Sequence, residues 1–339
     1  MTKTFRIAIT GAGGYLGKCL CRYFKESGAS VFQLTGNDRD VDPSLPTSQF
    51  SLSNGVAENF FADNKIDSLI HAAYDFNPRL RKAIWDLNVN GSVNLFKQAR
   101  AEGVVRVVFI SSMSAFTGCR SLYGQAKLEI ENALSAINQG CSVRPGLIYS
   151  TPLSESGGMV GSLLSNISKG GLIPLVGNGK QELYLAHEND LARFIELLLQ
   201  TSNLAQDKPL VAANPRPYTL RMIINLLAET VGEKRVKLVP VPWRLARTGL
   251  RVLESAGVNM RFRSDSILSL ANQNKEPDFS ATTRLFTFRD FAAAIRDDGH
   301  TGAGIGLQVR NVDVADEAAR SDERDPNEAG ADRRRRHRT

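Results

Sequence analysis

The chain has 339 residues, of which 42% are hydrophobic and 23% charged, and this composition excludes a disordered chain, a collagen and a coiled-coil rod. The net charge of +7 belongs to residues 1–300, because residues 301–339 hold equal numbers of Arg and acidic residues. A mildly basic body suits an anionic small ligand at least as well as nucleic acid. The four cysteines are scattered, which favours structural thiols over a zinc site or a disulfide framework, and no metal site is predicted.

No stretch of the sequence is long and apolar enough for a transmembrane helix, and the first residues enter a strand without a signal-peptide core. We therefore expect a cytoplasmic protein without membrane insertion. The Arg-rich run at 333–338 could bind nucleic acid or membrane phosphates. Charge runs at chain ends are usually solvated tails, so nucleic acid is not an expected partner.

Short apolar segments alternate with amphipathic segments through the first half of the chain. In chain order, the sequence predicts a strand at 5–10, a helix at 15–27, strands at 31–35 and 67–73, a helix at 81–102, a strand at 104–110, a helix at 122–138 and a strand at 141–144. Parallel strands that are buried on both faces give near-continuous apolar runs and need helical crossovers. The alternation therefore predicts an α/β fold with a Rossmann-type, doubly wound parallel sheet.

The regular alternation ends near residue 150, where a segment rich in Gly, Ser and Pro begins. We predict a dinucleotide-binding Rossmann domain at 1–150, to which later strands are contributed from about 180–215. A smaller, mostly helical C-terminal substrate lobe at 151–296 is expected to be interleaved with the sheet. Residues 297–339 contain no aromatic residue and predict a disordered tail.

The first predicted strand runs into a glycine-rich turn, TGAGGYLG at 10–17. Gly11, Gly14 and Gly17 have the spacing at which a tight turn, a close approach of pyrophosphate to the backbone and close helix–strand packing each need a glycine. The helix that follows offers free N–H groups and the positive end of its dipole to phosphates. This strand–turn–helix setting predicts a dinucleotide-binding site.

A second motif is YGQAK at 123–127, which follows SSMS at 111–114 at the end of a buried strand. Tyr123 and Lys127 are four residues apart and share one face of a helix. The ammonium group would lower the pKa of the phenol, so that Tyr123 could pass a proton to or from a sugar hydroxyl or a carbonyl oxygen near neutrality. A serine hydroxyl at the strand end could bind the same oxygen, and Lys127 could reach the nicotinamide ribose.

With these motifs the chain resembles the extended short-chain dehydrogenase/reductase superfamily, in its NAD-dependent nucleotide-sugar epimerase/dehydratase branch. The resemblance spans about residues 5–290, with several motifs in the family's order. The segments that carry it are TGAGGYLG (10–17), LIHAA (69–73), NVNGSVNLF (88–96), VVFISSMSAF (107–116), YGQAK (123–127), SVRPGLIYS (142–150), LVGNGKQELYLAHENDLA (175–192) and NPRPYTL (214–220).

The resemblance implies that Tyr123 is the catalytic acid/base, that Lys127 lowers its pKa and holds the ribose, and that Ser112 is the third catalytic residue. Ser111 and Ser114 are neighbouring candidates for the serine role. The cofactor-binding residues that the resemblance implies are Gly11, Gly14, Tyr15, Leu16, Gly17, Thr35, Ala72, Ala73, Asn88, Tyr123, Lys127 and Pro145.

Two positions depart from the pattern of that branch. Met113 and Ser114 stand where its dehydratases carry an Asp-Glu pair, so dehydration of a sugar is disfavoured. Thr35 stands where NAD enzymes usually carry an acid for the adenosine ribose, and Asp38 and Arg39 follow a few residues later. Arg39 could pair with a 2′-phosphate, whereas Thr35 could bind a 2′-hydroxyl. We expect NAD or NADP as cofactor, with a slight preference for NAD.

Five other polar residues have both a structural and a functional interpretation. His71 is expected in the core, and Arg144 is expected to pair with a carboxylate inside the fold. His187 lies near the predicted sugar lobe or at a helix cap. Lys180 and Arg216 are candidates for contacts with a substrate diphosphate, although surface charge is the commoner role.

The resemblance implies an NAD(P)-dependent nucleotide-sugar epimerase or 4-ketoreductase, with a nucleotide-diphosphate sugar as substrate and a place in polysaccharide biosynthesis. It also implies a homodimer formed through the helices at 81–102 and 122–138. One alternative is an NAD(P)-dependent reductase of a non-sugar, steroid- or flavonoid-like ketone. A second alternative is a non-catalytic dinucleotide-binding sensor, which the intact Ser/Tyr/Lys set disfavours.

Overall fold

A computed structural model describes the chain from residue 5 to residue 301 with six short gaps. The described ranges are 5–37, 40–137, 140–170, 172–201, 208–232, 236–255 and 263–301. Asp38 and Arg39, on which part of the cofactor prediction depends, lie outside the described residues, as does the predicted tail from residue 302 onward.

Thirteen strands and twelve α-helices are found in the described residues. The strands are β1 (Arg6–Thr10), β2 (Ser30–Thr35), β3 (Thr47–Gln49), β4 (Ser68–His71), β5 (Arg106–Ile110), β6 (Gly140–Pro145), β7 (Leu147–Tyr149), β8 (Ile173–Val176), β9 (Glu182–Leu183), β10 (Leu185–His187), β11 (Leu210–Ala212), β12 (Tyr218–Thr219) and β13 (Leu238–Val241). The helices are α1 (Tyr15–Glu26), α2 (Phe60–Asp63), α3 (Arg81–Ile84), α4 (Asn90–Ala101), α5 (Leu122–Ile137), α6 (Gly158–Ser168), α7 (Glu188–Gln200), α8 (Leu220–Thr230), α9 (Trp243–Ser255), α10 (Ser264–Ala271), α11 (Ser280–Leu285) and α12 (Phe291–Thr301).

Seven parallel strands form the central sheet in the order β11-β6-β5-β4-β1-β2-β3. The chain builds outward from β1 to β3 and then crosses back to β4 on the other side of β1, so the strand order switches between β1 and β4. Ligands of open α/β sheets bind in the crevice at such a switch point, beyond the carboxyl ends of the strands. The predicted Rossmann-type, doubly wound parallel sheet is therefore confirmed.

Alternate side chains of each central strand supply the two faces of the sheet. Ile7 and Ile9 of β1 are fully buried in a cluster that α1 and α7 complete on one face. Ala8, between them, belongs to the cluster that α4 and α5 complete on the other face. Both faces are covered by helices, which is why the strands are apolar throughout rather than alternating with polar residues.

Most of the chain after β6 builds a third apolar cluster, in which Tyr149, Ile223 and Phe291 are buried with β8 and α6. Within the same part of the chain, α7 and β11 join the central sheet. Residues 1–301 form one compact unit, so the division into a dinucleotide-binding domain and a lobe stays a prediction. Helix α12 reaches Thr301, which is beyond the predicted start of the tail at residue 297.

The four cysteines are buried free thiols. Burial raises the pKa of Cys19, Cys21 and Cys141 to about 12, which keeps these thiols protonated and unreactive at neutral pH. None of the described helices combines the length and the apolar character that a membrane span requires.

A buried ion pair connects α5 with β6. The Arg144 guanidinium donates from Nε and Nη2 to the two carboxylate oxygens of Glu131, at 2.8 and 2.6 Å. The Glu131 side chain is only 3% exposed. Arg144 therefore pairs with an internal carboxylate, as expected from the sequence, and orients the helix that carries Tyr123 and Lys127.

We expect Arg144→Met to destabilise the protein by about 3–5 kcal/mol, because it leaves the buried Glu131 carboxylate without a partner. The double variant Arg144→Met with Glu131→Met should recover most of that loss, since it removes the buried charge as well. Chemical denaturation of the three proteins measures both changes. Equal stability of the single variant and the wild type would show that the pair does not hold α5 on the sheet.

Candidate active site

A cleft of about 770 Å³ lies at the carboxyl ends of β1, β4, β5 and β6, at the switch point of the sheet. Its volume is in the range of small-molecule and cofactor sites. Every residue predicted for the site except Asn88 lines it: Gly11, Gly14, Tyr15, Leu16, Gly17, Thr35, Ala72, Ala73, Ser112, Tyr123, Lys127 and Pro145.

The glycine turn between β1 and α1 leaves no room for side chains. Gly11 has φ +70°, and a Cβ atom there would lie 3.0 Å from the backbone of Ala73. A Cβ atom on Gly17 would lie 2.1 Å from the Gly11 carbonyl oxygen, so α1 can pack this closely only because residue 17 is glycine. Helix α1 begins directly after Gly14, and its first residues line the cleft, where the first N–H groups of a helix have no partner within it. This cradle fits a dinucleotide pyrophosphate.

A buried hydrogen-bond chain supports the backbone opposite the glycine turn. The Thr10 hydroxyl accepts the N–H groups of Ala72 and Ala73 at 3.1 and 3.2 Å, so its own hydrogen goes to His71 Nδ1 at 2.7 Å. His71 Nε2 then donates to the Ser92 hydroxyl at 2.8 Å. Burial, reinforced by the charge of Lys127, lowers the pKa of His71 to about 3. His71 is therefore a neutral core residue that fixes residues 72–73, as expected from the sequence.

Asn88 does not line the cleft, and its cofactor role stays a prediction. Its side-chain amide accepts the N–H of Asp75 at 2.8 Å and donates to the Asp75 carbonyl at 3.0 Å, which occupies both ends of the amide. A π-helical turn at Trp85–Val89 interrupts the single helix predicted at 81–102 and presents Asn88 to that backbone. Asn88 thus anchors the loop whose side chains, Tyr74 to Phe76, line the cleft.

Tyr15 connects the glycine turn with the segment after β7. Its hydroxyl lies 2.6 Å from the Ser150 hydroxyl, which donates to Glu188 at 2.6 Å. Glu188 in turn accepts from Arg22 of α1 at 2.8 Å. A Cβ atom on Gly157 would lie 2.4 Å from the Tyr15 ring, so the backbone of that segment packs directly on the tyrosine.

The far end of the cleft lies beside Thr35 at the end of β2. The Thr35 hydroxyl contacts the backbone of Asn37 at 3.1 and 3.2 Å, which holds the turn after the strand. Phe50 and Leu52 add an apolar wall that no sequence motif had indicated. The segment after β3 that contains them is too short and irregular to have given a periodic signal.

Ser112, Tyr123 and Lys127 line the same cleft. Ser112 hydrogen bonds to the Tyr123 side chain and accepts the N–H of Ser114 at 3.1 Å. Of the three candidate serines, Ser112 is the one with this contact. The Ser111 hydroxyl lines the cleft, is buried and has no hydrogen-bond partner among the described residues, which leaves it available to a bound ligand.

Burial has the largest effect on the pKa of both Tyr123 and Lys127. It raises the pKa of Tyr123 to about 12, although the hydrogen bond with Ser112 acts in the opposite direction. It lowers the pKa of Lys127 to about 7, against the charge of Glu131. The Lys127 ammonium donates to the Ile110 carbonyl at 2.7 Å and lies 5.9 Å from the centroid of the Tyr123 ring. The predicted lowering of the Tyr123 pKa by Lys127 is therefore wrong in this structure.

Two aromatic side chains that were not among the predicted site residues pack on Tyr123. The Tyr74 ring meets it edge-on with centroids 5.0 Å apart, and the Phe76 ring lies nearly parallel to it at 5.6 Å. Phe76 is 57% exposed, so this aromatic wall runs from the surface to Tyr123. The sequence feature that could have indicated this wall is the tripeptide YDF at 74–76, which directly follows HAA at 71–73.

The other polar candidates lie away from the cleft lining. His187 caps α7, because its Nδ1 accepts the N–H of Asn189 at 3.1 Å. Arg216 lies 3.6 Å from the carboxylate of Asp290 and over the Tyr218 ring. Lys180 is exposed and does not line the cleft.

Residues 7–212 match the model of the NAD dependent epimerase/dehydratase family. The chain belongs to that family. The match covers more than half of the chain and includes the glycine turn, the Ser/Tyr/Lys set and the whole central sheet. It confirms the predicted family, and NAD is the cofactor of the family.

Two curated proteins resemble the chain at the level of sequence. The protein y4nL of Sinorhizobium fredii is 27% identical over 195 residues, which covers 52% of this chain and 54% of that protein. The chain thus spans about half of the length of that relative. The 2-alkyl-3-oxoalkanoate reductase of Stenotrophomonas maltophilia is 24% identical over 267 residues, covering 68% of this chain and 77% of that protein.

Solved structures of the same fold include sugar-nucleotide enzymes. UDP-glucose 4-epimerase of Thermotoga maritima aligns with a TM-score of 0.61 and 19% identity, covering 70% of this chain and 85% of that chain. UDP-N-acetylglucosamine 4-epimerase of Bacillus cereus aligns with a TM-score of 0.65 and 15% identity, covering 89% of this chain and 100% of that chain. DesIV, a dTDP-glucose 4,6-dehydratase of Streptomyces venezuelae, was solved with NAD. It aligns with a TM-score of 0.58 and 19% identity, covering 70% of this chain and 84% of that chain. These similarities show the fold.

The buried Lys127 predicts a pH dependence of stability. The unfolded amine holds its proton up to a pH near 10.5, whereas the folded amine loses it at about 7, so unfolding takes up a proton between these values. A rise in pH from about 7 to 8.5 should therefore stabilise the wild type by up to about 1.4 kcal/mol per pH unit relative to Lys127→Met. Thermal unfolding of both proteins measures the difference.

The exposed Lys180 offers a matched control for that comparison. Lys180→Met should show the same pH dependence as the wild type, because it removes a solvated amine. Parallel curves for the wild type and Lys127→Met would contradict the lowered pKa of Lys127.

Proposed function

We propose that the chain is an NAD-dependent oxidoreductase that interconverts a ketone and a hydroxyl group on a predominantly apolar substrate without a diphosphate. The observation that carries this proposal is the charge of the cleft. Among the described residues that line it, Lys127 and Asp75 are the charged ones. Diphosphates are usually met by Arg and Lys side chains, and Lys127 is the one such side chain among the described residues that line the cleft. Asp75 would repel a second anion.

Tyr123 is proposed as the proton donor to the carbonyl oxygen of the substrate. Its pKa of about 12 keeps it a phenol at neutral pH, which favours donation and hence the direction of reduction. Ser112 would orient the phenol through their hydrogen bond and could bind the same substrate oxygen. NAD, when bound along the glycine turn, supplies the hydride chemistry. Lys127 is proposed to hold the cofactor ribose from the floor of the cleft.

The residues beside Ser112 support a reaction that stops at the hydroxyl group. Met113 and Ser114 carry no carboxylate, so this loop has no acid and base with which to expel water from a neighbouring carbon. The Ser/Tyr/Lys set lines the cleft together, which argues against a sensor that only binds the dinucleotide.

The aromatic wall supports an apolar substrate. Tyr74 and Phe76 cover the face of Tyr123 that a substrate would approach from the surface, and apolar groups pack favourably on such rings. The relative named 2-alkyl-3-oxoalkanoate reductase has a name that describes reduction of a ketone on an alkyl-substituted acid. We propose the same reaction class here.

A second candidate is the nucleotide-sugar epimerase or 4-ketoreductase implied by the sequence motifs. One observation favours it: Gly158 and Met159, at the start of the 11-residue α6, line the cleft, and a helix N-terminus can bind phosphate. A homodimer through α4 and α5 stays a prediction. The apolar side chains of both helices, such as Phe96 and Ile130, are already buried against the sheet.

Purified full-length protein with NADH and a set of ketones tests the proposal. We expect loss of NADH absorbance with ethyl 2-methylacetoacetate or with a steroid ketone, and none with the 4-keto form of a UDP-sugar. Product NMR with UDP-glucose alone should show no epimer. Turnover confined to the sugar nucleotides would replace the proposal by the second candidate, and tight NADH binding without any turnover would favour the sensor.

Tyr123→Phe keeps the ring that packs on Tyr74 and Phe76 but removes the hydroxyl. We expect turnover to fall by about a hundred- to ten-thousandfold, the usual contribution of a positioned proton donor, and to fall by much more than NADH affinity does. Tyr184→Phe is the matched control, because Tyr184 packs on Phe279 outside the cleft. Near wild-type turnover of Tyr123→Phe would refute the assignment of the proton donor.

A further inference from the structure

The helix that carries Tyr123 and Lys127 receives its N-terminal cap from a distant part of the chain. The Asp265 carboxylate, in the first turn of α10, accepts the N–H of Leu122 at 2.9 Å and the N–H of Tyr123 at 3.0 Å. These are the first two N–H groups of α5, which have no partner within the helix. The backbone of Tyr123 itself is therefore hydrogen bonded to Asp265.

A local cap is already present at the same helix end. The Ser121 hydroxyl accepts the N–H of Gly124 at 3.1 Å, the usual bond of a serine that precedes a helix. Asp265 therefore adds to this cap rather than replacing it, and it acts on the N–H groups that Ser121 does not reach. A carboxylate at a helix N-terminus also interacts favourably with the helix dipole.

The other end of α10 holds the residues just before α5. The side-chain oxygen of Asn272, which follows α10, accepts the N–H of Arg120 at 3.0 Å. Together, Asp265 and Asn272 bind the backbone N–H groups of residues 120, 122 and 123 from the two ends of one helix. A shift of α10 would thus be transmitted to Tyr123.

The start of α10 also contacts the aromatic wall on the other side of Tyr123. Arg263 donates to the carbonyl oxygen of Phe76, and to that of Pro78 at 3.4 Å. Phe76 stacks on the Tyr123 ring. Residues 263–265 consequently contact both the backbone of Tyr123 and the loop that covers its ring.

We propose that Asp265 is a positioning residue that sets the orientation of Tyr123 toward its substrate. The inference rests on the proposed function, since it assigns Tyr123 the proton transfer. Asp265 acts through the first turn of α5, which it fixes relative to the loop that contains Phe76. A displacement of a reacting group by about 1 Å can cost about a hundredfold in rate, so we expect loss of this anchoring to lower turnover.

The test compares Asp265→Ala and Asp265→Asn with Thr219→Ala in the full-length protein. Thr219 is a matched control, because its hydroxyl caps α8 by accepting the N–H of Met222 at 3.1 Å, far from Tyr123 in the chain. Turnover of ethyl 2-methylacetoacetate with NADH is measured for each. Fluorine NMR of protein labelled with 3-fluorotyrosine follows Tyr123 separately, its resonance among the seven tyrosines being assigned by Tyr123→Phe.

For Asp265→Ala we expect kcat to fall at least about tenfold, NADH affinity to change less than about twofold, and the Tyr123 fluorine resonance to move. Asp265→Asn keeps one acceptor oxygen and should give an intermediate loss. Thr219→Ala should lower the melting temperature without any of these changes.

An unmoved Tyr123 resonance and an unchanged kcat in Asp265→Ala would overturn the inference and leave Asp265 as a structural cap. If Asp265→Ala does not fold, Asp265→Asn and Asn272→Ala decide the question by the same two measurements. If the wild type does not turn over ethyl 2-methylacetoacetate, the proposed function fails on that substrate. The fluorine resonance then still decides whether Asp265 positions Tyr123.

Discussion

The close approach of α1 to the turn after β1 is the constraint on which the rest of the site depends. The Gly11 carbonyl occupies the space where a side chain of residue 17 would begin, at 2.1 Å from the position of its Cβ atom. This contact sets the helix directly over the switch point of the sheet. On the opposite side, the Thr10 hydroxyl holds the backbone of residues 72–73 against Gly11. The cleft is therefore enclosed by backbone on two sides before any side chain contributes to it.

Burial, more than charge pairing, governs the chemistry of the centre of the cleft. Lys127 is desolvated beneath the aromatic rings and satisfied by the Ile110 carbonyl, so little positive charge is available to the phenol of Tyr123. The phenol remains protonated, with Ser112 as the group that stabilises its anion. An enzyme with this arrangement starts its catalytic cycle with Tyr123 protonated, so that the phenol can donate its proton to a substrate. The rings of Tyr74 and Phe76, which help to bury Tyr123, also form the surface along which a substrate would reach it.

Local sequence patterns predicted the sheet, the glycine turn and the Ser/Tyr/Lys set, because each depends on residues close together in the chain. The internal partner of Arg144 was also expected, since a cation inside an apolar strand needs a carboxylate. The bond of the Asn88 amide to Asp75 was not predicted, because it depends on a π-helical turn that leaves no periodic signal. Asp265 was missed for a different reason: it caps a helix about 140 residues away, and no local pattern records such a partner.

The chain of hydrogen bonds through His71 has a consequence for acid tolerance. The unfolded imidazole takes up a proton below its ordinary pKa of 6.5, whereas in the folded protein it does so only near pH 3. Acidification between these values therefore favours the unfolded chain, by up to about 1.4 kcal/mol for each pH unit. When the imidazole is finally protonated, His71 Nδ1 can no longer accept the Thr10 hydrogen, and the support of residues 72–73 is lost. The backbone that faces the glycine turn thus depends on a hydrogen bond that acid breaks, so the structure of the nucleotide-binding turn depends on the pH of its surroundings.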